Sequence, residues 1–140
     1  MSKLFAFTTV ACPFEHVPDR LREYFGGEDA TMPLRVRFAD LNVERDVEIH
    51  LAPKPGYPGY RLIDVTWRAA GGGPYPVFHG TLSVEEEAGG WSRLDLDGDY
   101  DPPFGLIGAA VDAAVGHRVA EATANDLLSE FKRILSRVPA

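Results

Sequence analysis

The chain has 140 residues, 45% hydrophobic and 25% charged, with a formal net charge of −7 and a pI near 5.0. That size fits one soluble domain with its own core, because a chain this long typically buries about 70% of the surface its unfolded form exposes. Nucleic-acid binding by phosphate neutralisation is excluded for want of a basic balance, a membrane span because no apolar run reaches ~18 residues, and an internal disulfide because Cys12 is the single cysteine.

Met1 to Leu4 lack the apolar stretch and small-residue cleavage site of a signal peptide, which predicts a cytoplasmic protein. Lys3 to Val10, with Phe5, Phe7, Thr8, Thr9 and Val10, reads as a first strand. After Pro13 the apolar positions Phe14, Val17, Leu21, Tyr24 and Phe25 recur at spacings of three and four. They predict a short amphipathic helix that Pro18 shortens or splits and Gly26-Gly27 ends. The period then drops to two. Leu34, Val36 and Phe38 alternate with Arg35 and Arg37; Val47, Ile49 and Leu51 with Glu48 and His50; Ile63, Val65 and Trp67 with Asp64, Thr66 and Arg68. Each run predicts a strand with one buried face. Val77 to Glu86 adds Phe78, Leu82 and Val84 on one face, and Trp91 to Tyr100 adds Leu94, Leu96 and Tyr100.

The breaks at Ala39 to Asn42, Pro53 to Gly59, Ala70 to Pro76 and Ala88 to Gly90 are short and rich in turn residues, which favours an antiparallel meander. A long helix is expected from about Phe104 to Arg137, started by Pro102-Pro103. Its apolar stripe runs through Ile107, Val111, Val115, Val119 and Ala122 to Leu127, Leu128, Phe131, Ile134 and Leu135. The predicted fold is α+β in a single domain over residues 1–140: a curved antiparallel sheet wrapped around the C-terminal helix, with the gap between them a natural ligand cavity.

Candidate chemistry is sparse. Glu85 to Asp101 holds seven acids against Arg93, so this segment carries −6 of the charge. Asp95, Asp97 and Asp99 resemble a calcium loop, but Tyr100 and Leu106 stand where an EF-hand needs glycine and glutamate. Alternation makes them a solvated strand face. His16, His50, His79 and His117 show no metal-ligand spacing, and no metal or other cofactor is expected. There is no G-x-S-x-G elbow, Gly71-Gly72-Gly73 lacks the G-K-[ST] of a phosphate loop, and Cys12 reads as structural. Arg118 falls beside the helix's apolar stripe, where a cation needs either a carboxylate from the sheet or an anionic ligand group. Tyr60, Trp67, Phe78 and Tyr100 are aromatic candidates for lining the same space.

Tyr100-Asp101-Pro102-Pro103-Phe104-Gly105-Leu106-Ile107-Gly108, followed by Asp112, Gly116-His117-Arg118, Ala120 and the leucine-ended helix, resembles the C-terminal signature of bacterial START-like proteins of the SRPBCC superfamily. The order of elements agrees along the whole chain. The resemblance implies a helix-grip fold around a deep, mostly apolar cavity, in a superfamily whose members bind lipids, sterols, hormones or polyketides. It implies a cavity in this chain lined by Val65, Trp67, Phe78, Leu96, Tyr100, Val111, Val115, Arg118 and Val119, with Arg118 or a tyrosine orienting the polar end of a small hydrophobic ligand. Some members are cyclases or dehydratases; that alternative would use His79, Tyr100 or Asp64 as acid or base, although no catalytic pattern of those enzymes carries over. A third reading is a protein-interaction domain without a ligand, using the sheet surface, for which a homodimer or an exposed apolar patch and no cavity are expected.

Overall fold

A computed structural model describes residues 2–38, 41–70, 77–101 and 109–136. Six antiparallel strands form one sheet: β1 (Ser2–Val10), β2 (Asp29–Phe38), β3 (Leu41–Tyr57), β4 (Tyr60–Ala69), β5 (Val77–Glu86) and β6 (Ser92–Asp101), in spatial order β1-β6-β5-β4-β3-β2. A one-turn 3-10 helix (Phe14–His16) leads into α1 (Val17–Phe25), and α2 (Ala109–Ser136) closes the chain. The predicted helix start from Phe104, with Pro102-Pro103, and parts of the expected turns at Ala39 to Asn42 and Ala70 to Pro76 lie outside the described residues. Among the described residues no helix is long and apolar enough to cross a membrane.

Pro18 splits the first helix as its position requires. Proline is tolerated in a first turn, so the 3-10 turn ends and α1 begins around it. Gly26 closes α1 at φ 74°, a left-handed conformation that glycine adopts without penalty. In the sheet, alternation sends Ile63, Val65, Trp67 and Ala69 of β4 inward and leaves Asp64 and Arg68 exposed. Across the ladder the inner face continues through Val47, Ile49 and Leu51 on one side and Phe78, Leu82, Val84, Leu94, Leu96 and Tyr100 on the other. Asp95, Asp97 and Asp99 take the outer face, where Arg93 lies 2.7 Å from Asp95 and Lys3 lies 3.4 Å from Asp99.

A facing pair of glycines, Gly80 and Gly98, interrupts the inner face of β5 and β6. A Cβ on Gly80 would stand 2.5 Å from the Asp97 carbonyl oxygen and inside the Phe78 ring; one on Gly98 would collide with the His79 carbonyl. The two strands therefore approach closely here, and the Phe78 ring lies over the space that two side chains would otherwise fill. Helix α2 meets chiefly β1 and β2, the two edges of the sheet, together with α1. Its buried residues Ala120, Ala124, Leu127, Leu128, Phe131 and Leu135 recur at helical spacing and face the core. The outcome is the expected α+β arrangement, an antiparallel sheet with the C-terminal helix packed on it.

Candidate functional site

Strand register assembles one transverse row on the inner face: Ala30 of β2, Ile49 of β3, Trp67 of β4, Phe78 of β5 and Tyr100 of β6. Trp67 and Phe78 are essentially inaccessible and stack at 4.3 Å between ring centroids, 15° from parallel. Burying each ring stabilises the fold by about 2–3 kcal/mol. Yet the Trp67 indole Nε1 is buried with no hydrogen-bond partner among the described residues. Leaving such a donor unmade costs about 1–3 kcal/mol, so an orphan held in a fixed orientation by a stacked neighbour requires an explanation.

The row ends at a second polar group. Tyr100 is buried, and its hydroxyl forms a 2.9 Å hydrogen bond with Nδ1 of His117 on α2. His117 itself is half exposed, and its Nε2 lies 3.7 Å from the Glu121 carboxylate. This pair ties the sheet to α2 at the β6 end of the row, with Phe78 between it and Trp67. His117 was predicted only as a helix residue. The sequence signal for the pair is slight, because it depends on the register between β6 and α2.

Five predicted lining residues, Val65, Trp67, Phe78, Leu96 and Tyr100, are all buried on the inner face. Trp67, Phe78 and Tyr100 share one row; Val65 lies in the next, beside the Gly80–Gly98 pair, and Leu96 in the one after, opposite Leu82. Arg118 is exposed on α2; the polar groups buried inside the described structure include Trp67 Nε1, the Tyr100 hydroxyl, Thr123 of α2 and Ser92 of β6. The side chains of Val111, Val115 and Val119 lie outside the described part. Tyr60 is at the other end of the sheet on its outer side, with its hydroxyl 3.4 Å from Glu85, and does not join the aromatic row. Asp64 and His79, the acid/base alternatives, are exposed on the outer face.

The outer face has its own open depression of about 760 Å³ over β2 to β5, lined by Asp29, Glu48, His50, Thr66, Arg68 and His79. Its charged groups already satisfy one another: His50 Nδ1 lies 2.5 Å from Asp29 and Arg68 Nε 2.8 Å from Glu48. A ligand there would displace existing partners while remaining in water, where each contact is worth little. On the inner face the unmet donor is already dehydrated, which makes that face the better candidate. Among the described residues no group of three or more histidine, cysteine, aspartate or glutamate side chains could hold a metal ion.

No family model matches the chain, and no curated protein does. Among solved structures it is similar to a conserved protein from Geobacillus kaustophilus at 11% identity and a TM-score of 0.47, over 94% of this chain and 96% of that one.

Proposed function

We propose that this chain is a START-like, SRPBCC-type ligand carrier whose inner face, between α2 and strands β4 to β6, takes a hydrophobic or amphipathic small molecule of lipid, sterol or polyketide kind. The observation that carries the reading is the Trp67 indole N–H, buried and unpartnered among apolar side chains. The packing of α2 against the inner face, nearest β1 and β2, supports it, since a carrier of this kind holds its ligand between helix and sheet. Enzymatic use of the same face has weaker support, since Asp64 and His79 are on the outer side; Tyr100 alone of the expected acid/base groups lies inside.

Thermal denaturation with fatty acids, sterols and aromatic polyketides tests the proposal, alongside native mass spectrometry of protein from its own host. A ligand at a hundredfold excess over its Kd adds about 2.7 kcal/mol, an upward shift on the order of 8 °C for a domain of this size. Failure of every class to move the transition, with no co-purifying mass, would overturn it.

A second reading, self-association through β1, is favoured by Phe5 and Phe7, exposed at 53% and 55% on an edge strand. The occupant is a second copy of the chain. Antiparallel pairing about a two-fold axis at Ala6 sets Phe5 against the partner's Phe7 and Lys3 against its Thr9, so no like charges meet.

A further inference from the structure

Strand register also assembles a row on the outer face: Asp29 of β2, His50 of β3, Thr66 of β4, His79 of β5 and Asp99 of β6. Two imidazoles thus flank one short side chain, and each has an aspartate as its outer neighbour. No spacing in the sequence marks this arrangement, because it exists only through the pairing of β3, β4 and β5. His50 and His79 are two strand spacings apart, about 9.6 Å. Both line the open depression of about 760 Å³ and also an adjoining one of about 420 Å³, and Thr66 lines both as well. The space over Thr66 is therefore open between the two rings.

The Asp29 carboxylate lies 2.5 Å from Nδ1 of His50. A carboxylate only accepts, so Nδ1 carries the proton and Nε2 of the neutral ring keeps its lone pair. A carboxylate holds a metal-bound histidine in its tautomer and orientation in this way. His79 is exposed, and its ring has no hydrogen bond or ion pair among the described residues. A metal ion also differs from other ligands of this face, since it takes the two free ring nitrogens and leaves the Asp29–His50 and Arg68–Glu48 contacts in place. Asp64 lines the smaller depression, but Lys54 holds its carboxylate at 2.8 Å, so water fills the coordination positions beyond the two imidazoles. Nitrogen donors of this kind suit Zn²⁺, Ni²⁺ and Cu²⁺, whereas Ca²⁺ and Mg²⁺ demand oxygen.

We propose that His50 and His79 form a surface site for a divalent transition-metal ion held over Thr66, with Asp29 as the positioning residue for His50. The site is on the opposite face from the proposed carrier surface and stands or falls independently of it. Asp99 is already 3.4 Å from Lys3, which makes Asp29 the carboxylate whose removal is felt.

The untagged full chain, titrated with Ni²⁺ and separately with Zn²⁺ at neutral pH, tests this. The expected result is saturable binding of one ion per chain below about 1 mM. Paramagnetic Ni²⁺ should broaden the amide signals around His50, Thr66 and His79 and spare those around His16 and His117. His50→Gln and His79→Gln should each weaken binding roughly tenfold or more, and Asp29→Asn by about 10–100-fold. Asp99→Asn removes the same charge from the other end of the row and should have little effect. In the metal-free chain, imidazole 15N shifts should report the Nδ1–H tautomer at His50, and Asp29→Asn should relax that preference. All four substituted side chains are at the surface, so each variant should keep the melting temperature of the metal-free chain. Absence of saturation at about 1 mM, binding untouched by His79→Gln, or displacement by excess Ca²⁺ overturns the site. A loss in Asp29→Asn no greater than in Asp99→Asn overturns the positioning role of Asp29.

Discussion

Cys12 is fully buried just after β1, with its thiol 3.4 Å from an Arg20 guanidinium nitrogen and its carbonyl accepting from the buried Ser92 hydroxyl. Burial pushes the thiol above its ordinary pKa of 9.0, against the opposing pull of Arg20. The folded chain therefore holds this proton more tightly than the unfolded chain does. The resulting stability is intact below the ordinary thiol pKa and is lost as pH rises through the raised one. Cys12→Ala removes that dependence, so above about pH 9 the melting temperature of the unaltered chain should fall more steeply than the variant's. Equal slopes would show that the thiol does not titrate differently on folding. The structural role of Cys12 was legible in the sequence, since a lone apolar-flanked cysteine without a matching base is ordinary core. Its contacts were not, because Arg20 and Ser92 arrive from a helix and a strand whose docking no local pattern encodes.

Among the elements, alternation in β4, β5 and β6 placed Trp67, Phe78, Leu96 and Tyr100 on one face correctly, because a period of two leaves no other choice once one face is buried. Two departures have physical causes. Pro53 to Gly59 reads as a turn, yet β3 runs on to Tyr57. Beyond His50 the partner β2 has ended, so this part of β3 is an edge, where Pro53 and Pro55 cost no ladder bond; the register shifts between Lys54 and Tyr57. The other is the glycine pair. Gly80 and Gly98 look like weak points within two strands, and only their mutual register makes them the place where the sheet folds close beneath Phe78. Gly98→Ala should lower stability by roughly 2–3 kcal/mol, read as a lower denaturation midpoint in urea, because the new methyl meets backbone that cannot give way. An unchanged midpoint would mean that the two strands can part there at little cost.

For the whole molecule, the charge of −7 includes an acidic outer face on β6, at Asp95, Asp97 and Asp99, while the Trp67, Val65 and Leu96 rows carry no charged side chain from β3 to β6. The two sheet edges differ as well. β2 carries Pro33, and Asp29, Arg35 and Arg37 are charged along it in sequence; β1 has Lys3 as its one charge and no proline. Pairing β1 with β1 of a second copy would separate the two acidic β6 rows by three strand spacings, about 14 Å, beyond the ~8 Å screening length of physiological salt. The chain should accordingly sediment as a dimer at ~0.1 mM, and Phe5→Glu with Phe7→Glu should make it a monomer of unchanged helix and strand content. A monomer before substitution would remove this reading and leave the carrier reading untouched. The order of elements was legible because proline or glycine marks every boundary but the Ala39-Asp40 step between β2 and β3. The Tyr100–His117 pair and the orphan indole were not, since both depend on how distant segments meet.

The pairing of β1 with β6 joins the two extremes of the described sheet: Ser2 meets Tyr100 and Val10 meets Ser92. Hairpins β2–β3, β3–β4 and β4–β5 can each form as soon as the ribosome has released them. β1, the earliest of the six strands to be made, must wait until Ser92–Asp101 has followed before its partner exists. At about 5–20 residues per second that delay is several seconds, with Phe5 and Phe7 on a strand that has no ladder to join. Closure of the sheet is thus a late, long-range event, which places refolding in the millisecond-to-second class and not among the microsecond folders. Chaperone dependence during synthesis should then trace to the first ten residues, well away from the ligand face.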